Sequence, residues 1–209
     1  MKKIILTLIF FFIISSGLVH AQSRYHNCGM QGNAQSKRIK NLNKLKNRYN
    51  LPDDADFDNS VTLSTILQPG IDTSRFTSAI AVTIEGYIFN VKSGGSETCN
   101  CTTKVERYKD IHIEIVPDEN NTAENKRVIV ELTPRLKRMI FDQLGIHSIT
   151  TLNLKHAILN KRVRIKGWLF FDEEHLQNAY NTDPDDTAND NWRATCWEIH
   201  PITSIEILE

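Results

Sequence analysis

Several thiol, imidazole and carboxylate side chains in this sequence have the types and spacing of metal ligands or acid–base groups. Glu97, Cys99 and Cys101 lie close together, His112 and Glu114 stand two apart, and His200 comes near the end of the chain. Two thiolates and an imidazole, here Cys99, Cys101 and His112, make a set that zinc accepts, with a carboxylate as the fourth ligand. The Cys-x-Cys spacing is tighter than the spacing usual at zinc sites. The competing chemistry is oxidation. The chain has four cysteines, Cys28, Cys99, Cys101 and Cys196, and an even number in an exported chain reads as disulfides. A bridge from Cys99 to Cys101 would strain the preferred geometry. Two bridges would then send Cys28 and Cys196 each to one member of the Cys-Asn-Cys pair, stapling an early segment and a late loop to a central one. Disulfides are the reading adopted. No cofactor is expected on it, and zinc is the alternative.

His112 and Glu114 share one face of a strand. Such a pair suits acid–base chemistry. The plainer reading, which is preferred, is a solvated outer face with a cross-strand pair to Arg162 or Arg164. Trp192 and Arg193 stand together in a polar loop, as a platform for a flat ligand would, whereas Trp168, Trp197, Tyr87 and Phe170 read as packing. Glu198 and His200 alternate on an extended segment. Asp110, Glu114 and Glu131 with Arg162 and Arg164 supply the residue types of a metal-dependent nuclease, but in no recognisable spacing. A Gly-rich phosphate loop, a G-x-S-x-G and an H-E-x-x-H are all absent from the sequence.

The elements that must position these groups begin with a leader. Lys2 and Lys3 precede an apolar run from Ile4 to Val19, and Val19 and Ala21 stand at −3 and −1 of a cut before Gln22. The run is shorter than the roughly 20 residues of a spanning helix, and no later segment is apolar enough to span. A soluble, monomeric, exported protein is expected, periplasmic or secreted. Without residues 1–21 the chain keeps 23 basic and 25 acidic residues, a net charge of −2. That balance makes nucleic acid a possible but not a favoured partner.

Residues 35–49 read as a helix with Ile39, Leu42, Leu45 and Tyr49 in one apolar stripe and a solvated basic face. Leu51-Pro52 ends it, and Asp53, Asp54, Asp56 and Asp58 follow. Strands are expected at 79–91, with Gly86 as a bulge or bend, and at 110–116, 127–133 and 161–171. A closing strand is expected over 195–199 and 202–208. Pro134 opens a helix over 134–144. The fold class is mainly β: a five-stranded OB-fold-like Greek-key barrel with a helix between strands 3 and 4, plus an N-terminal helical extension. The domains are a signal peptide (1–21), the extension (22–76) and the barrel (77–209). Two long connections, 93–109 and 172–194, flank the position of the ligand cleft in such barrels.

The stretches 86–101 (GYIFNVKSGGSETCNC), 112–115 (HIEI), 167–175 (GWLFFDEEH) and 191–203 (NWRATCWEIHPIT) carry a resemblance. Residues 28–33 (CGMQGN) and 45–48 (LKNR) add to it. They resemble a group of exported bacterial proteins with OB-like domains and no assigned catalytic residues. The resemblance implies export and a barrel, and no mechanism. The resulting expectation is a binding module whose ligand, an oligosaccharide, an oligonucleotide or a protein partner, lies between the two long loops. Its expected contacts are Glu97, His112, Glu114, Arg162, Arg164, Trp192, Arg193 and His200. The alternative is a metal-dependent hydrolase built on the Cys/His/Glu cluster.

Overall fold

A computed structural model describes residues 25–208. The expected leader and its cut lie outside the described residues. Among these, no helix is long and apolar enough to cross a membrane.

Five strands form a closed barrel: β1 (Ala81–Ser93), β2 (Ile111–Val116), β3 (Val128–Leu132), β4 (Arg162–Phe171) and β5 (Trp197–Leu208). Their order around the wall is β1-β2-β3-β5-β4. All pairings are antiparallel except β3 with β5, which is parallel. This is the arrangement of an OB-fold-like barrel. β1 is long enough to serve two neighbours. It pairs with β4 from Ala81 to Tyr87 and with β2 from Tyr87 to Ser93. Gly86 stands at that switch in regular register with Val163, and the bulge falls instead between Ile88 and Asn90. Gly86 is required by close approach: a Cβ there would lie 2.6 Å from the Val116 carbonyl oxygen and 2.7 Å from Leu63 Cδ2.

β-Branched residues at alternate positions fill the barrel, with Ile84, Ile113, Ile115, Val130, Ile165 and Ile205 all buried. Between β3 and β4 the chain makes two helices, α3 (Lys137–Gln143) and α4 (Thr151–Ile158). The helix expected over 134–144 is α3, and α4 has no counterpart among the sequence expectations. Ile140 and Phe141 of α3 and Leu154 and Ile158 of α4 close the barrel core.

The N-terminal segment packs on the same core. α1 (Lys37–Lys46) is capped by Ser36, whose hydroxyl accepts from the Ile39 amide. α2 (Leu63–Ile66) is a single turn capped by Thr62, and Val61, Leu63 and Ile66 join the hydrophobic cluster. The orientation of α1 differs from expectation. Ile39, Leu42 and Leu45 are only half-buried, while Asn43 and Lys46 are buried. The helix turns polar side chains inward because they find carbonyls and carboxylates there.

The outer face of β2 is a second correction. All six of its residues are buried, with His112 at 8% and Glu114 at 3% exposure. The solvated face expected of an alternating strand is covered here, by Trp192 over His112 and by Asn90, Lys92 and Arg127 on Glu114.

Candidate functional site

The 93–109 loop is fixed first by the N-terminal segment. Residues Thr98–Asn100 make a tight helical turn, and Cys101 follows in the left-handed region at φ 53°. The Asn33 amide donates to the Thr98 carbonyl, and Asn47 Nδ2 donates to the Cys99 carbonyl at 2.9 Å. Gly32, at φ +57°, lies so close that a Cβ would come within 1.8 Å of the Thr98 oxygen. Cys28 and Cys101 are bridged, with their Cα atoms 5.9 Å apart. One bridge forms, not two. Cys196 is a buried free thiol that donates to the His175 carbonyl at 3.4 Å. Cys99 is also free and buried, 3.5 Å from Glu97 Oε2 and 3.7 Å from Asp110 Oδ2. The zinc set Cys99, Cys101 and His112 is therefore not assembled, since the Cys101 sulfur is taken by Cys28.

The 172–194 loop starts with Asp172, buried, whose carboxylate meets His175 Nδ1 at 2.8 Å. Its return segment runs beside its outgoing one, with Tyr180 and Asn181 donating to the carbonyls of Arg193 and Ala194. Asp72, from the segment before β1, ties the base of the loop by accepting from Thr195 Oγ1 and the Cys196 amide.

Between the two loops a cleft of about 400 Å³ opens over the outer face of β2, β3 and β5. Lys46, Lys92, Glu97, His112, Glu131, Asp172, His175, Trp192, Arg193 and Glu198 are among its lining residues. Of the expected contacts, Glu97, His112, Trp192 and Arg193 line it. Glu114 lies on the same face but is engaged by Lys92 at 3.0 Å and Asn90 at 3.2 Å. His200 lies beneath it and is fully buried. Arg162 and Arg164 are elsewhere: on β4 they pair with Glu85, and Arg164 also with Glu206. β1 stands between β4 and β2 in the barrel, so neither arginine reaches His112 or Glu114. Arg193 is not a loop-surface residue. It is fully buried, and its guanidinium meets Glu198 at 2.5 Å.

Under the cleft the charged groups form one network. Lys46 Nζ is 2.8 Å from Glu97 and 3.7 Å from Asp172. His112 Nδ1 is 3.0 Å from Glu131 Oε1. His200 Nδ1 is 3.4 Å from Glu198 Oε2 and 3.6 Å from Glu131 Oε2, while its Nε2 is 4.0 Å from Asp110 Oδ2. Asn100 Nδ2 donates to the same Asp110 oxygen at 2.7 Å.

Proton affinities diverge sharply in this space. Burial pushes the Asp110 carboxyl up to about 7, with Glu131 and Glu97 adding to the rise against the pull of His200. Burial also acts on Glu131, but the His112 hydrogen bond and the charges of His200 and Lys46 outweigh it and hold that carboxyl at about 2. Burial lowers His200, yet its bond to Glu198 and the fields of Glu131 and Asp110 lift it to about 9. Burial pushes the Cys99 thiol well above its ordinary value.

Trp192 roofs the cleft at half-burial, 5.4 Å from Lys92 Nζ and 5.6 Å from the His112 ring. Of the three carboxylates considered for a nuclease, Asp110 and Glu131 come together here with His200 rather than with the arginines, and Glu114 does not join them. Glu131 stands directly opposite His112 in the β2–β3 register, where the sequence reading expects Arg162 or Arg164 as the cross-strand partner. Lys46, Asp172 and His175 had no signal in the sequence, since α1 and the 172–194 loop reach the site only through the fold. No family model and no curated protein matches the chain, so the chemistry of the site rests on its own side chains.

Proposed function

We propose that this chain is an exported, monomeric binding module whose ligand sits in the cleft between the 93–109 and 172–194 loops. The observation that carries the reading is placement. The cleft lies over β2, β3 and β5 with the two long connections as walls, where OB barrels take their ligands. Export is supported by the leader read in the sequence, by the resemblance to exported OB-like proteins, and by the Cys28–Cys101 bridge, a bond of oxidising compartments.

The lining favours an oligosaccharide over a polyanion. Its buried cations are already matched, Lys46 by Glu97 and Asp172, and Arg193 by Glu198. Glu131 and Glu174 add further negative charge to the walls. Carboxylates and imidazoles of this kind bind hydroxyl groups, and a half-buried indole offers a face for a sugar ring.

Tryptophan fluorescence tests this directly. Trp168 and Trp197 are 5% and 2% exposed, so quenching by a small solute reports Trp192. Neutral oligosaccharides are expected to protect the fluorescence, and Trp192→Ala is expected to abolish the protected fraction. Protection by single-stranded oligonucleotides instead, weakening steeply with salt, would replace the saccharide reading. A cleft that no oligosaccharide, oligonucleotide or protein partner protects would overturn the binding module. The rival hydrolase built on Cys99, Cys101 and His112 loses its support with Cys101 in the bridge.

A further inference from the structure

Beneath the cleft, three ligand-type side chains share one pattern. Each is held at one polar atom by a neighbour and has its other polar atom without a hydrogen-bond partner among the described residues. Asp110 accepts from Asn100 at Oδ2, and its Oδ1 has no hydrogen-bond partner. Glu131 is held by His112 at Oε1, and its Oε2 has no hydrogen-bond partner. His200 is held by Glu198 at Nδ1, and its Nε2 has no hydrogen-bond partner. All three residues are more than nine-tenths buried: Asp110 at 2%, Glu131 at 6% and His200 at 0% exposure. One ligand atom from each falls within 4.8 Å of the others.

We propose that Asp110, Glu131 and His200 bind a divalent transition-metal cation beneath the cleft.

A buried oxygen or nitrogen without a hydrogen-bond partner is costly, and each of these three clustered side chains carries one. A single cation among the three side chains would give the two carboxylates and the imidazole one shared partner. The outer groups match what metal ligands receive from their surroundings. A carboxylate on the distal imidazole nitrogen, here Glu198 on His200 Nδ1, fixes the ring so that Nε2 faces the metal. Asn100 and His112 fix the two carboxylates in the same way. Two carboxylates and one imidazole form an oxygen-rich set of borderline softness, which zinc, cobalt(II) and manganese(II) accept. Cys99 is left out of the set because its thiol is spent as a donor to Glu97 and to the anchored Asp110 oxygen. Glu131 also lines the cleft, so the cation would be reached from there. The assignment stands on this geometry and is independent of which ligand the cleft takes.

The test is a cobalt(II) titration of the purified protein after chelator treatment, followed by visible absorption and metal content. One cobalt per chain is expected, with ligand-field bands and no sulfur-to-cobalt charge-transfer band. Asp110→Asn and His200→Asn should each weaken binding about tenfold or more, on the scale of losses at metal sites. Cys99→Ser should leave the stoichiometry at one. Should the variants not fold, the native protein still decides. Its His200 ring signals should be the first histidine signals broadened by substoichiometric manganese(II). The proposal is overturned by a native protein that takes up no stoichiometric cobalt, zinc or manganese. A sulfur charge-transfer band would overturn it in favour of Glu97, Cys99 and Asp110. Binding lost in Asp172→Asn but kept in Asp110→Asn would overturn it in favour of Asp172, His175 and Glu198, which also converge.

Discussion

Arg193 and Glu198 are an ion pair with almost no access to water, at 0% and 2% exposure. Removing one partner strands the other charge, which in buried pairs costs about 3–5 kcal/mol. Arg193→Met should lower the unfolding free energy by that amount in urea titrations, and Glu198→Gln by a similar one. Asp172 carries the clearest pH signature. Burial raises its carboxyl, but the bond from His175 and the charges of Lys46 and Arg193 more than offset this and hold it below the usual carboxylate range. A group whose folded value is depressed stabilises the fold above its unfolded value, near pH 4, and loses that share as pH falls. The native protein should therefore lose melting temperature more steeply than Asp172→Asn as pH falls below about 4. His175 runs the other way. Its bond to Asp172 raises its value, so its share is complete below about pH 6.5 and fades as pH rises through the raised value. His175→Gln should accordingly cost more in melting temperature in mild acid than in alkali.

At the scale of elements, two of the connections that hold the N-terminal segment to the barrel can be tested separately. The bridge between Cys28 and Cys101 spans 73 residues of sequence. Opening a loop of that size by Cys28→Ser with Cys101→Ser should cost about 2–5 kcal/mol, read by denaturant unfolding of the two forms. Leu63 lies under β1 against Gly86, and Leu63→Ala should cost about 2–5 kcal/mol in the same assay. The strands were legible because their own residues decide them: Ile111, Ile113 and Ile115 alternate whatever covers them. What lies outside a strand is decided elsewhere. Nothing in His-Ile-Glu-Ile says that Trp192, Lys92 and Arg127 will cover its polar face, so His112 and Glu114 read as solvated. α4 was missed because it has only eight residues, Thr151–Ile158, too few for an amphipathic stripe to repeat. Its one local signal was Thr150, whose hydroxyl accepts from the Asn153 amide. The two long loops were placed correctly by composition, whereas their cysteines were paired by a symmetry that the fold does not keep.

For the molecule as a whole, one bridge and two buried thiols set the conditions of production. Expression in an oxidising compartment should give an intact mass two hydrogens below the reduced value, with two thiols that react only after unfolding. A mass four hydrogens lower would mean that Cys99 and Cys196 also pair. The wall of the barrel is also uneven. β4 and β5 run together from Arg162 against Leu208 to Phe171 against Trp197, while β3 and β5 meet at only two positions, Ile129 with Glu198 and Val130 with Ile199. If that short parallel seam parts, the cylinder becomes an open sheet with β3 and β5 as free edges. Free edges of β-branched strands recruit the edges of other copies. Glu131 sits one residue beyond the seam on β3 and His200 one residue beyond it on β5, so whatever joins these two side chains also clasps the barrel shut against self-association.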